Sequence, residues 1–178
     1  MNGQVDPMKG VVLVVALIAC SAGAHGQSHK HEGGGLGAHV HGRGVLNIAI
    51  EKGRVSMDFE VPAVDIVGFE HQPKSAKERA LVEDAKAKLA DPIKLFAPSP
   101  TAGCRVTRSE VAVETEDGHG AFHGSYELAC TQPRALKVFK LDYFGLFKGA
   151  QKLSVRLIGG ARQVKFEAGR GNPVLEVK

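Results

Sequence analysis

VLNIAIEKGRVSMDFEV, residues 45–61, decides the fold of this chain. Leu46, Ile48 and Ile50 alternate with Asn47, Ala49 and Glu51. Lys52-Gly53 then interrupts, and Val55, Met57, Phe59 and Val61 alternate again. Apolar residues at period two put one face of a strand toward a core and the other toward water. The same pattern on both sides of a glycine turn predicts a β-hairpin. Pro62 offers no N–H to a ladder and ends the second strand.

A second hairpin is expected from about Cys104 to Cys130. Centring its turn on Asp117 places Cys104 directly opposite Cys130, at a Cα separation of roughly 4.5–5.5 Å across a ladder, within reach of a disulfide. Val106 and Val111 have opposite parity, which a one-residue bulge between them would explain. Phe122, Gly124, Tyr126 and Leu128 share the inward face of the return strand, which turns His123 outward. A third hairpin follows the alternation of Leu153, Val155 and Leu157, with its turn at Gly159-Gly160 and Val164 and Phe166 after it. Residues 136–147 read as an aromatic-rich connector, and Val174, Leu175 and Val177 close the chain.

One helix interrupts these strands. Ser75-Ala-Lys-Glu78 is a capping box, in which hydroxyl and carboxylate each accept from a free N–H at the helix start. The helix runs to about Ala90 and stops before Asp91-Pro92, because the residue before a proline avoids the α region. Ala80, Leu81, Ala85 and Leu89 form its apolar face, Asp84 and Lys88 can pair at i,i+4, and its lysines make a solvated surface. The fold class is therefore α+β: mainly antiparallel β-hairpins and sheet, one principal α-helix at about residues 75–90, and one disulfide.

The first 24 residues read as a signal peptide. Residues 10–19 are an apolar run of ten, too short for a bilayer, which needs roughly 20, and suited to a signal core. Ala22-Gly23-Ala24 fits cleavage after Ala24. The alternative is Leu17-Ile18-Ala19-Cys20, which has the form of a lipoprotein box with Cys20 as the acylated residue. Either route predicts export to the periplasm, where disulfides persist. Residues 25–44 are rich in Gly and His, with Leu36 and Val40 as their large apolar side chains. Such a segment cannot repay its ordering entropy and is expected to be flexible unless something binds it. Residues 45–178 then form one globular domain. The formal net charge of +4 comes from Lys and Arg interleaved with acids, a pattern without the basic stripe of a nucleic-acid binder.

The histidines carry the functional signal. His25, His29 and His31 would open the exported chain, and His39-Val-His41 follows. On an extended segment residues i and i+2 point the same way, so each His-x-His pair can offer two nitrogens to one ion. Four ligands are usual for zinc, so the pair is half a site. His119 and His123 of the second hairpin are the expected completion, and His71 in Gly68-Phe69-Glu70-His71 is a further candidate. Soft ligands are scarce: Met57 lies on the apolar side of a strand, and Cys104 and Cys130 are expected to be oxidised. Imidazole and carboxylate suit Zn(II), with Cu(II) or Ni(II) ranking second. No Gly-x-Ser-x-Gly elbow, phosphate loop or Cys-x-x-Cys occurs, and an enzyme is not expected. The competing reading is an exported structural or interaction module, lipid-anchored at Cys20, whose histidines are incidental.

Several stretches together resemble one family. AHVHGRGVLNIAIE, VPAVDIVGFEHQPKS, LFAPSPTAGC, FHGSYELAC and AQKLSVRLI are similar to segments of the ZrgA-like periplasmic proteins, linked to zinc uptake. The resemblance covers nearly all of residues 38–178, and Gly-Phe-Glu-His and Phe-His…Tyr…Cys are its most specific parts. It implies a periplasmic zinc-binding protein that buffers Zn(II) or delivers it to a zinc ABC importer or that importer's solute-binding protein. By motif it points to His39, His41, His71 and His123, with Glu70 beside them. Many relatives carry a long His/Asp/Glu-rich insertion before Phe-His. Here that place holds only ETEDGHGAFH, and the N-terminal HGQSHKHE partly replaces it.

Overall fold

The computed structural model describes residues 40–177. The expected signal peptide, its cleavage point at Ala24, Cys20 and the histidines at 25, 29, 31 and 39 lie outside the described residues. The opening hairpin forms as β1 (Arg43–Glu51) and β2 (Arg54–Pro62), in antiparallel register from Val45 opposite Glu60 to Glu51 opposite Arg54. Lys52 and Gly53 both adopt left-handed backbone, φ 48° and 87°, the geometry a two-residue turn needs to follow strand twist. β1 begins two residues before the expected Val45, because Arg43 already pairs with Lys152.

The second hairpin, β4 (Cys104–Glu116) and β5 (His119–Cys130), contains two compensating offsets. Its turn is Asp117-Gly118, with φ 51° and 83°, half a residue beyond the expected centre. That shift alone would set Cys104 opposite Thr131. The register slips between Val106 and Arg108 and restores Cys104 opposite Cys130, where the two form a disulfide. The bulge also returns Val106 and Val111 to one face, as their opposite parity requires. The third hairpin, β7 (Lys152–Gly159) and β8 (Arg162–Gly169), turns one residue later than expected, at Gly160-Ala161, with Gly160 at φ 59°.

These six strands make one sheet in the order β4-β5-β2-β1-β7-β8. Every neighbouring pair is antiparallel except β1 with β7, which run parallel. β3 (Phe96–Pro98), β6 (Val138–Leu141) and β9 (Val174–Glu176) form a second, antiparallel sheet. α2 (Ala76–Leu89) is the principal helix, and its capping box is made as expected. The Glu78 carboxylate accepts from the N–H groups of Lys74 and Ser75, and these bonds hold its pKa below the ordinary carboxylate value. Its buried face is Val82, Ala85 and Leu89, whereas Ala80 and Leu81, expected inside, are exposed, Leu81 by 41 %. The spacing 82, 85, 89 follows i, i+3, i+7, and Leu81 lies off that stripe. Lys88 and Asp84 pair at 2.6 Å. α1 (Ala63–Val67), α3 (Pro92–Leu95) and α4 (Tyr143–Leu146) add about one turn each, and α4 and β6 occupy the expected connector. No helix among the described residues is long and apolar enough to cross a membrane.

The inner side of the large sheet supplies Leu46, Ile48, Val55, Met57, Phe59, Phe122, Tyr126, Leu128 and Val155 to one buried cluster with Leu89, Phe96, Phe139, Tyr143 and Leu175. Phe59 joins the two layers, with ring centroids 5.4 Å from Phe96 and 5.2 Å from Tyr143. On the other side of the sheet, along β1, Arg43, Val45, Asn47 and Ala49 are exposed while Gly44, Leu46 and Ile48 between them are buried.

The Cys104–Cys130 bridge closes a loop with a sequence separation of 26. By chain entropy such a crosslink contributes about 3–4 kcal/mol. The double variant Cys104→Ser/Cys130→Ser is expected to lose about 3 kcal/mol in urea unfolding. Hydrogen exchange should rise at the bridged end of the hairpin and stay unchanged at Asp117-Gly118.

Candidate metal site

Three segments meet at the tip of the second hairpin. The first is the approach to β1. Gly42 takes φ +81°, and a Cβ on it would lie 2.9 Å from the Gln151 side chain. Its N–H donates to both carboxylate oxygens of Asp65 at 2.8 Å, and its carbonyl accepts from the N–H groups of Gln151 and Lys152. His41 is thus carried on a backbone fixed from both sides. Asp65 is 6 % exposed. Burial pushes its carboxyl pKa up, while the Gly42 N–H and the nearby His41 pull it down.

The second segment follows α1. Gly68 closes that helix in left-handed conformation, with its N–H on Val64 O, and Phe69 packs against the core. The chain then crosses the base of the hairpin tip. It can do so because residue 120 is glycine: a Cβ there would fall 2.5 Å from the carbonyl oxygen of Glu70. The third segment is the start of β5, with His119 as its first residue.

Glu70 is where they converge. Its Oε1 lies 2.8 Å from His41 Nε2 and its Oε2 lies 3.1 Å from His119 Nδ1. The glutamate side chain is 17 % exposed, whereas the two imidazoles are 63 % and 64 % exposed. A carboxylate only accepts, so each ring donates an N–H to it. His41 Nδ1 and His119 Nε2 are left with their lone pairs. A carboxylate held against an imidazole in this way fixes its tautomer.

The expected histidines divide accordingly. His41 and His119 are brought together by Glu70, a residue that the family resemblance placed at the margin of the site. Asp65, the anchor of Gly42, escaped sequence reasoning, although a lone acid in the apolar stretch VPAVDIVGF is itself a signal of a buried role. His71 is engaged locally: its ring stacks on Phe69 at 5.0 Å, and its Nδ1 is 2.9 Å from Gln72 O. His123 stands further along β5, between Glu60 and Glu114. His39 lies outside the described residues.

The donor chemistry fits Zn(II): imidazole nitrogen and carboxylate oxygen are its ordinary ligands after thiolate. Among the described residues the soft alternatives are occupied, since Met57 is 1 % exposed and Cys104 and Cys130 form the disulfide. Among the described residues, however, no group of three or more His, Cys, Asp or Glu is arranged as a finished metal centre. The two imidazoles close on the carboxylate instead. Adjacent donors around a tetrahedral zinc lie about 3.3 Å apart, from metal–ligand distances near 2.0–2.1 Å, so contacts of 2.8 and 3.1 Å need only a small opening.

Gly120→Val would place two methyl groups where the Glu70 backbone runs. The expected result is a folded domain in which Glu70 is displaced and both imidazole hydrogen bonds are lost. Histidine side-chain nitrogen spectra would show this as a return of His41 and His119 to mixed tautomers. Unchanged spectra would mean that Gly120 does not position Glu70.

No curated protein matches the sequence. The model of the ZrgA family, described as zinc uptake proteins, matches residues 38–177, which include His41, Glu70 and His119. That span contains the nine strands and four α-helices of the described residues, so the folded domain, and not an isolated motif, carries the match. The chain belongs to the ZrgA family of zinc uptake proteins.

Proposed function

We propose that this protein is an exported, periplasmic zinc carrier that binds Zn(II) at His41, His119 and Glu70 and passes it to a zinc ABC importer or its solute-binding protein. His39 supplies a further imidazole from the residue pair ahead of β1. The N-terminal His25, His29 and His31 collect ions loosely. The observation that carries this reading is the single carboxylate shared by two exposed imidazoles from distant parts of the chain. Membership of a zinc uptake family supports the choice of cargo.

The site suits a carrier better than a permanent store. A structural zinc site is closed by four protein ligands, commonly thiolates. Here the imidazoles stand mostly in solvent, so a competing ligand from an acceptor protein can reach the ion. When zinc leaves, the rings fall back onto Glu70 and no buried donor is left unpaired. Zinc must also displace protons from its ligands, so affinity is expected to fall as pH is lowered.

Calorimetric zinc titration of residues 25–178 at neutral pH tests the assignment. One event is expected to weaken about tenfold or more in each of His41→Ala, His119→Ala and Glu70→Gln, since each removes one of the ligands. A titration indistinguishable between wild type and all three variants would refute the site.

A further inference from the structure

We infer that this protein pairs with a second copy of itself through the outer side of the large sheet, about a twofold axis running along β1. Side chains on that side alternate with those facing the core, and the ladders set them in rows across the strands. The row through Asn47 reads Glu110, Ser125, Asp58, Asn47, Arg156 and Lys165 from β4 to β8. Acids stand on one flank of β1 and bases on the other.

The basic flank lacks counter-charge within the chain. Arg156 and Lys165 lie directly opposite each other on β7 and β8, and like charges so placed destabilise a strand pair. Both are exposed, and among the described residues no carboxylate pairs with either. Glu167, the next outward residue of β8, is taken by Arg43 and Lys152. Across β1, Asp58 is exposed and accepts from the Ser125 hydroxyl at 3.2 Å, with no cation on it among the described residues. Between the flanks β1 offers the short side chains of Val45, Asn47 and Ala49, with Ile158 of β7 beside Ala49. Val45 is 38 % exposed and Ile158 52 %.

A twofold rotation about β1 exchanges the strands on its two sides. β7 of one copy then lies over β2 of the other, and β8 over β5. Arg156 falls on Asp58 and Lys165 on Ser125 beside Glu127, and each contact occurs twice. Val45 and Ala49 meet their own copies at the axis. An axis across the strands would instead set β7 over β7 and Arg156 over Arg156, so charge selects the axis along β1. Facing sheets pack with their strands within about 30° of each other, so this register holds at the centre of the face and loosens toward its ends. Arg43 stands at one such end, already neutralised by Glu167. The overlap covers five strands roughly 4.8 Å apart and about seven residues at roughly 3.3 Å each, or about 500 Å² per copy. Twice that area is at the low end for specific interfaces, which makes the dimer weak, and its exposed charge pairs make it salt-sensitive.

Sedimentation equilibrium of the full chain, in chelator so that no metal bridges two copies, tests the pairing. The mass is expected to rise from one chain toward two with concentration, and to fall back in high salt. Arg156→Glu and Asp58→Arg each set like charges across the interface and should weaken association about tenfold or more. Both positions are exposed on strands, so the fold tolerates either change. An equimolar mixture of the two variants restores opposite charges at both contacts, and dimers should return. A wild-type chain that stays monomeric would overturn the proposal. So would association that neither variant weakens, as expected if the N-terminal apolar run drove it, or a mixture of variants that stays monomeric.

Discussion

The residue on which most of this structure depends is Gly42. Its N–H is held by Asp65 and its carbonyl by the amides of Gln151 and Lys152. Those bonds join the start of β1, the helix after β2 and the start of β7. The parallel register of β1 and β7 begins one residue later, at Arg43 opposite Lys152. Glycine suits the position, since the backbone is left-handed there and a Cβ would push aside the Gln151 side chain. Left-handed backbone costs a residue with a Cβ roughly 1–2 kcal/mol. The same junction aims His41, so the geometry of the sheet and the geometry of the site are one constraint.

A second close approach completes the arrangement. The loop bearing Glu70 can lie on the hairpin tip because Gly120 has no side chain, and Gly149 does the same for the backbone of Asp65. The large sheet brings the hairpin tip and the approach to β1 near one another. The glycines then let backbones touch where side chains would hold them apart. What results is a carboxylate mostly shielded from water, with two imidazoles reaching out over it. Shielding lowers the local dielectric and strengthens the hold of Glu70 on the rings, while the exposure of the rings leaves the site open to an entering ion. A carrier needs both properties, because an ion must be bound firmly enough to collect and openly enough to release.

Much of the fold was legible in the sequence because its signals are local. Alternation around Lys52-Gly53, the Ser75–Glu78 capping box and the alternation around Gly160 each depend on residues within one hairpin or one helical turn. The disulfide was legible too, although by a register in which a shifted turn and a bulge cancel. The parallel pairing of β1 with β7 was not legible. Those strands are separated by about a hundred residues of chain and no turn records their partnership. The buried face of α2 was misassigned, with Ala80 and Leu81 exposed and Val82 buried, for a related reason. With alanines and a leucine spread around its surface, only the position of the sheet beneath it selects Val82 over Leu81.

The histidines show the same limit in chemical form. His-x-His is readable as a pair because period two is a property of the strand itself. His119 and His123 invite the same grouping, yet a spacing of four, which makes neighbours on a helix, separates side chains on a strand. The hub, Glu70, carries no such signature, being one acid among the 19 Asp and Glu of the chain. It becomes a ligand candidate only when the fold lays it between His41, 29 residues before it, and His119, 49 residues after it. Imidazoles that the sequence presents as one loose cluster are therefore sorted by the sheet into distinct environments: two gathered on a shielded carboxylate at the hairpin tip, and one enclosed between glutamates on the outer face.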